Sequence, residues 1–260
     1  MKPTLLAFLL TATAALLPAA DAPKPIKALM ITGGGFHDYT AQKATLAEGI
    51  SARMNIEWTI LQEGTEREHM HSVYQNADWA KGYDVVVHNE CFGMVKDPEF
   101  VGKVAAPHKA GVPAVILHAT VHSYRNVEGD AWREILGMKS MSHEKNRDLL
   151  VKTINPEHPV MRGFPSEWAN PKDELYKIEK TWESVIPLAI AYGEETKKDH
   201  VVIWLNTVGK TRVFATTLGH SDATMKTDVY LDLVTRGILW SVAKLAEDGK
   251  PLPGYGPRGK

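Results

Sequence analysis

The sequence contains a single cysteine, Cys91, among its 260 residues. One cysteine cannot form an internal disulfide, so the fold must be stabilised by its hydrophobic core alone. An excess of one charge is also lacking, because 30 Lys and Arg residues balance 31 Asp and Glu residues and give a net charge of −1. This balance gives no reason to expect a nucleic-acid partner or binding to an anionic membrane surface.

Several well-known site motifs are missing as well. The three glycines Gly33–Gly35 are not followed by Gly-Lys-Ser/Thr, and Phe36 and Asp38 fill the later positions of a G-x-G-x-x-G pattern. We therefore expect no nucleotide cofactor. The sequence has no H-E-x-x-H and no paired cysteine motif, so spacing alone does not identify a zinc site.

A long apolar run, Leu5 to Leu17, lies near the amino terminus. Lys2 precedes it and Pro18-Ala-Ala20 follows it, which is the pattern of a secretory signal peptide over residues 1–20. The run is short for a membrane span, although a retained anchor is the alternative. The pattern predicts cleavage near Ala20 or Ala22 and an exported protein, periplasmic or secreted, that no longer contacts a membrane.

The remaining chain predicts one domain. After a short leader at 21–25, residues 26–246 are long and apolar enough to bury one sizeable core, and we expect 247–260 to be a flexible tail rich in Pro, Gly and Lys. Apolar runs typical of strands alternate with helical patterns, one of which begins near Thr40 as a cap and runs to about Arg53. Another opens at Asp97-Pro98, with Asp at the cap and Pro in the first turn, and ends before Gly111. The predicted strands, ending in a β-hairpin, are 27–32, 56–61, 83–87, 114–117, 149–154, 185–191, 201–205 and 212–216.

This order predicts an α/β fold with a mainly parallel sheet, helices on both faces and a late antiparallel hairpin. Ligands of such sheets bind beyond the carboxyl ends of the strands. Polar residues concentrate at those predicted ends, and we expect them to converge on one pocket: His37, His88, Glu90, His118, His122 and His220.

Imidazoles at this density serve as metal ligands or as acid–base groups that work near neutral pH. We predict His88, His118 and His220 as ligands of Zn²⁺ or another divalent metal, because they end three different predicted strands. Three protein ligands and an open water position are the catalytic pattern of zinc. The alternative is that the imidazoles hydrogen-bond one another and nearby acids with no ion. His143 either lines the pocket or faces water.

A set of motifs occurs in a recognisable order along the chain. They are Gly33-Gly-Gly-Phe-His37-Asp, the strand end at His88, Val115-Ile-Leu-His118, His158-Pro, Asp173-Glu-Leu-Tyr176, Gly209-Lys-Thr-Arg-Val-Phe, Leu218-Gly-His220 and Arg236-Gly-Ile-Leu-Trp240. Together, over about Ile26 to Leu245, they resemble the trehalose-utilisation (ThuA-like) family. That family is similar in fold to the class I glutamine amidotransferases, which have flavodoxin-like sheets.

The resemblance implies a role in the catabolism of a disaccharide or a modified sugar. It also implies that the protein has no thiol nucleophile. In the amidotransferases, the strand that matches Ala114–Leu117 leads into an elbow with a catalytic cysteine, whereas here His118 follows that strand and Cys91 lies one strand earlier.

We therefore expect an exported hydrolase or lyase that acts on a disaccharide or a 3-keto-glycoside, with a small sugar as its partner. A non-catalytic sugar-binding module is the alternative, a partner protein with a vestigial pocket ranks last, and a homo-oligomer is compatible with the sequence. The candidate catalytic residues are His37, Asp38, Glu90, His122 and Glu174. The candidate substrate-binding residues are Asn89, Ser123, Tyr124, Asp173 and Tyr176.

Overall fold

The computed structural model describes residues 24–258, so the predicted signal peptide lies outside the described residues. Eleven strands are formed within this part of the chain: β1 Ile26–Gly34, β2 Ile56–Gln62, β3 Val85–Cys91, β4 Ala114–Leu117, β5 Met138–His143, β6 Arg147–Thr153, β7 Glu167–Asp173, β8 Tyr176–Thr181, β9 Ile186–Tyr192, β10 Asp199–Val208 and β11 Thr211–Thr216. The α-helices of the same residues are α1 Tyr39–Ser51, α2 Pro98–Lys109, α3 Ala131–Leu136, α4 Asp222–Met225 and α5 Asp228–Ser241.

Nine of these strands form one mixed sheet in the order β2-β1-β3-β4-β11-β10-β9-β6-β7. The pairs from β2 to β11 are parallel, and the pairs from β11 to β7 are antiparallel. β5 and β8 form a separate two-stranded antiparallel sheet. The predicted mostly parallel α/β fold and its late hairpin, β10–β11, are confirmed.

Helices cover both faces of the parallel half. Leu46 of α1 packs in the same buried cluster as Val87 of β3, whereas Val104 of α2 packs with Val86 on the opposite face. Neighbouring residues of β3 therefore point to opposite layers, as the two-residue period of a strand requires. Because both faces are buried, the central strands are continuous apolar runs rather than alternating ones.

Helix caps explain where two of the helices begin. Asp97 accepts hydrogen bonds from the amides of Glu99 and Phe100 at 2.9 and 3.2 Å, and Pro98 occupies the first turn of α2, as predicted. For α1 the predicted cap was wrong. Asp38 rather than Thr40 accepts the hydrogen bond from the Ala41 amide, at 2.9 Å.

The end of the chain also differs from the predicted loose tail. The Tyr255 carbonyl accepts a hydrogen bond from the Asn55 amide at 3.0 Å, and Arg258 donates to the Ile56 carbonyl at 2.8 Å. These contacts hold the segment against the edge strand β2, which proline and glycine content alone does not reveal. No helix among residues 24–258 is long and apolar enough to cross a membrane.

Candidate functional site

Three histidines meet at the carboxyl edge of the parallel strands. His37 follows the glycines that end β1, His118 directly follows β4, and His220 lies four residues past the end of β11. One ring nitrogen from each lies within 4.8 Å of the others. The ring centroids are 4.9 Å apart for His37 and His118, 5.0 Å for His37 and His220, and 5.5 Å for His118 and His220.

His118 has the most constrained position of the three. Its φ angle is +43°, a left-handed conformation that a side chain adopts only at a cost, and a 3₁₀ turn begins at this residue. The Nδ1–H donates to the carbonyl of Thr217 across 2.6 Å. The proton is thereby fixed on Nδ1, and the lone pair of Nε2 faces the cluster without a hydrogen-bond partner among the described residues.

A single carboxylate, Glu174, faces the cluster from the connection between β7 and β8. Its oxygens lie 3.8 Å from His118 Nε2, 3.4 Å from His220 Nδ1 and 3.6 Å from His143 Nε2. Glu174 thus provides one negative charge close to all three imidazoles.

Burial and these contacts separate the protonation states of the group. Burial, with smaller effects from neighbouring imidazoles, lowers the pKa of His37 to about 3 and that of His118 to about 4. Burial alone would raise the pKa of Glu174, but the nearby imidazoles, including His220 at 3.4 Å, outweigh it and lower the pKa to about 2. The same contact raises the pKa of His220. At neutral pH, His37 and His118 are neutral and Glu174 is ionised.

Two members of the cluster, His37 and His220, line a cavity of about 110 Å³. The residues around it are Phe36, His37, Cys91, Ala119, His122, Arg125, His143, Glu174, Tyr176 and His220. Burial raises the pKa of the Cys91 thiol to about 12. A thiol that stays protonated is a poor nucleophile, although it lines the cavity.

Stacked rings also line this cavity. The His122 ring lies parallel to the Tyr176 ring with centroids 3.9 Å apart, and its Nε2 lies 2.9 Å from the hydroxyl of Ser140. Burial lowers the pKa of His122 well below its usual value. His122 therefore remains neutral and stacks on Tyr176. Both residues line the cavity.

Asp173 lies behind the site rather than in it. Its carboxylate is buried and accepts hydrogen bonds from the amides of Gly219 at 2.9 Å and Glu174 at 2.7 Å. The side-chain amide of Asn170 donates a third hydrogen bond at 2.6 Å. Asp173 thus joins the segments that position Glu174 and His220, and it does not face the cavity.

The donor set fits a first-row divalent cation such as Zn²⁺. Imidazole nitrogens are favoured ligands of such ions, and burial keeps two of the three rings unprotonated. Nitrogens bound tetrahedrally at about 2.0–2.1 Å would be about 3.3 Å apart, so the rings would have to close by about 1.5 Å at most. The Thr217 carbonyl already supplies the outer hydrogen bond that orients a ligating histidine.

His88 is not brought to this cluster, and the predicted ligand set is corrected accordingly. Its Nε2 lies 3.0 Å from His108 Nε2, and its Nδ1 lies 2.9 Å from Glu90. Tyr74 donates a hydrogen bond to the same Glu90 oxygen at 2.7 Å. Residues 88 and 90 share a parity along β3 that directs both side chains to the α2 face, so the predicted catalytic Glu90 is a buried structural group and His37 takes the place of His88 in the cluster.

Asp38 and Asn89 have structural roles too. The Asp38 carboxylate caps α1. Asn89 is buried and donates to Gln42 at 3.2 Å, between α1 and the sheet. Neither residue lines the cavity.

Ser123 and Tyr124 lie in the turn after β4 and are almost fully buried. The Ser123 hydroxyl donates to the Glu90 carbonyl at 3.0 Å and accepts from the Phe92 amide at 3.1 Å. The Tyr124 ring packs edge-on against Trp132 with centroids 5.8 Å apart. These two predicted substrate-binding residues therefore fix the loop instead of contacting a ligand.

Two basic side chains of the cavity, His143 and Arg125, were not among the predicted site residues, although the sequence left open that His143 lines the pocket. His143 ends β5, and its Nδ1–H donates to the Glu144 carbonyl at 2.8 Å, which leaves Nε2 facing the cavity. Arg125 lies three residues past His122 and approaches the Nδ1 of that ring at 3.4 Å. Recognition of 138–143 as a strand would have placed His143 at a strand end, but the apolar period of that segment is weak.

Comparison with known proteins agrees with the fold. The family model described as trehalose utilisation, ThuA, matches residues 27–241. A ThuA-like protein from Parabacteroides merdae has a TM-score of 0.68 at 19% identity, with 90% of this chain and 97% of that chain covered. A ThuA-like protein from Bacteroides uniformis has a TM-score of 0.63 at 17% identity, with 90% and 98% covered.

The carbohydrate deacetylase Agd3 is a more distant structural neighbour, with a TM-score of 0.53 and 12% identity over 84% of this chain and 33% of that one. None of the curated proteins compared with the chain matches it. The structural likenesses show a shared fold, whereas the family model extends over most of the sequence. The chain belongs to the trehalose-utilisation (ThuA) family.

Proposed function

We propose that this protein is an enzyme of carbohydrate catabolism that cleaves a disaccharide or a 3-keto-glycoside, by hydrolysis or elimination, in the cavity around Glu174. The observation that carries the proposal is the convergence of His37, His118 and His220 beside that carboxylate. The family description, trehalose utilisation, supports a sugar as the substrate.

His37, His118 and His220 would hold a first-row divalent cation. When bound there, such an ion supplies Lewis-acid chemistry to a carbonyl oxygen of the substrate or to water. The low pKa values of His37 and His118 support this role, since neutral imidazole is the ligating form.

His143 is the group best placed to move a proton. With its Nδ1–H donated to the Glu144 carbonyl, the lone pair of Nε2 is directed into the cavity. Glu174, 3.6 Å from that nitrogen, would stabilise the imidazolium that forms when His143 accepts a proton. His143 is thus the general base, and Glu174 orients it and balances its charge.

On a 3-keto-glycoside, His143 would remove the proton from the carbon between the ketone and the anomeric carbon. The C–H electron pair passes to the ketone oxygen and forms an enolate. The ketone then re-forms while the bond from the anomeric carbon to the glycosidic oxygen breaks, and that oxygen takes the proton back from His143. The products are an unsaturated keto sugar and a free alcohol, and addition of water to the former completes a net hydrolysis.

The size of the cavity limits what can enter. At about 110 Å³ it is smaller than the roughly 300–1,000 Å³ of pockets that enclose drug-sized ligands. We infer that the reacting end of the sugar enters the cavity and that the leaving group stays outside. This arrangement suits cleavage of an exposed glycosidic bond.

A turnover assay tests the proposal. Untagged protein is incubated with trehalose, other disaccharides and their 3-keto forms, with and without divalent metal, and products are followed by mass spectrometry. We expect product from at least one substrate and a loss in kcat of about 100-fold or more in His143→Gln. The matched control is His158→Gln, which alters a histidine that does not line the cavity and should retain its kcat.

Saturable binding of an unmodified sugar without any product would contradict catalysis and favour a binding module. An unchanged kcat in His143→Gln would remove the proposed base.

We also propose that the protein is exported, on the basis of the amino-terminal sequence alone. Mass spectrometry of the protein isolated from its native host should show a chain that begins near Asp21 or Pro23. A chain that retains the apolar run would contradict cleavage.

A further inference from the structure

A larger cavity, of about 710 Å³, lies at the opposite edge of the sheet, where the parallel strands begin. The start of β1, the β10–β11 turn and the segment after α5 surround it. Five basic side chains line it: Lys24, Lys27, Lys210, Arg212 and Lys244. Asp84 is the only acidic residue among the described residues that line it. We call this cavity the basic cleft.

The charges of the basic cleft are not neutralised within the described chain. None of its five basic groups has a carboxylate oxygen within 4.0 Å among residues 24–258. Elsewhere basic residues pair with acids, as Lys109 does with Glu134 at 2.7 Å. The Asp84 carboxylate accepts a hydrogen bond from the Lys27 backbone amide at 2.8 Å, so its partner is the main chain rather than a basic side chain.

Two of the five basic groups, Arg212 and Lys244, make stabilising contacts with other parts of the fold. Arg212 lies 5.2 Å from the centre of the Trp240 ring and donates to the Trp240 carbonyl at the end of α5. Lys244 lies 4.9 Å from the centre of the Tyr255 ring. Positive charge at the carboxyl end of a helix is favourable in itself.

The other three basic groups, Lys24, Lys27 and Lys210, have no such partner. All three are exposed and line the same cleft, and like charges brought together in this way raise the local positive potential. The volume of the cleft falls within the range of small-ligand pockets. Its position is on the far side of the sheet from the histidine cluster, so it does not belong to the site described above.

We propose that the basic cleft binds a small polyanion, a molecule with two or more phosphate or carboxylate groups. Arg212 and Lys244 are held in place by the aromatic rings and provide fixed contacts, and the three lysines surround the remaining charge. The proposal is independent of the reaction proposed for the histidine site.

Isothermal titration calorimetry of the whole protein tests this site. Pyrophosphate probes the phosphate class and citrate probes the carboxylate class, each at about 50 mM and about 200 mM salt. We expect saturable binding of at least one probe that weakens at the higher salt. The double variant Lys27→Gln/Lys210→Gln should weaken that binding by about tenfold or more.

The matched control is Lys198→Gln/Lys226→Gln, which removes two exposed lysines that do not line the cleft. It should bind within about twofold of the unmodified protein. Absence of binding by both probes would overturn the proposal, as would equal weakening in the two double variants. Binding of heparin but of neither small probe would also overturn it and indicate a surface for a polymer.

Discussion

The backbone conformation of His118 helps to orient its side chain in the site. Its left-handed φ and its hydrogen bond to Thr217 fix both the direction of the ring and the position of its proton. The strand before it ends in a tight turn, at the position where the amidotransferases that the family resembles in fold have a catalytic cysteine. Here the turn presents a lone pair of nitrogen instead, which suits ligation or hydrogen bonding rather than covalent attack.

The pairing of His220 with Glu174 predicts a pH effect in metal-free protein. This contact raises the pKa of His220 above its ordinary value, so its stabilising effect is present below the unfolded pKa and is lost as the pH rises through the folded pKa. We expect Glu174→Gln to lower the pKa of His220, measured by NMR titration of the imidazole protons. A pKa of His220 that is the same in both proteins would contradict the pairing.

His88 provides a second residue-scale prediction. Substitution by Asn would remove the contacts of a fully buried imidazole to His108 and Glu90 and should cost about 3 kcal/mol in the free energy of unfolding, measured with urea. The histidine cluster should stay intact because His88 lies on the other face of the sheet. Loss of substrate turnover in the folded His88→Asn protein would show that the two faces are coupled.

These residues also show what the sequence can reveal. The ends of the apolar runs are visible in it, so His37, His118 and His220 could be assigned to one edge of the sheet. The assignment of His88 failed because β3 continues to Cys91, and only the length and parity of a strand decide which face a residue joins.

At the scale of elements, the site depends on a junction between two distant segments. The carboxylate of Asp173 joins the end of β7 to the loop after β11, through the amides of Glu174 and Gly219. Asp173 is buried, and its hydrogen-bond donors are all uncharged N–H groups. The stability of this junction therefore depends on both carboxylate oxygens of Asp173 remaining acceptors.

Asp173→Asn should therefore destabilise the protein by about 2 kcal/mol, because one acceptor becomes a donor that faces another N–H group. Its kcat should fall as Glu174 and His220 lose their alignment. Asp148→Asn is a suitable control, since Asp148 is exposed and the substitution retains an oxygen for the Lys172 amide. Equal losses of stability in the two variants would contradict a special role of Asp173.

Element prediction succeeded where the apolar pattern is strong and failed where tertiary contacts decide. The central strands and α2 were predicted because continuous apolar runs and the Asp-Pro cap are local features. β5, β7 and β8 have few buried positions and pair with strands remote in sequence or across bulges. The place of His143 in the cavity depends on these strands, which is why the sequence alone left its position open.

At the scale of the whole molecule, the two edges of the sheet differ in chemistry. The carboxyl edge brings neutral imidazoles and one ionised carboxylate into a small cavity. The amino edge bears the basic cleft, with unpaired positive charge. The fold class was predictable from element order, whereas this division of chemistry follows from which loops and strands meet at each edge.

The central proposal is that His37, His118 and His220 form a metal site at the carboxyl edge of the sheet. Elemental analysis of untagged protein, after incubation with Zn²⁺ and removal of free ion, tests it most directly. We expect about one ion per chain in the unmodified protein and in folded His88→Asn, and almost none in His37→Ala and His118→Ala. An unmodified protein that retains no ion, or a His118→Ala protein that retains as much as the unmodified chain, would contradict the account.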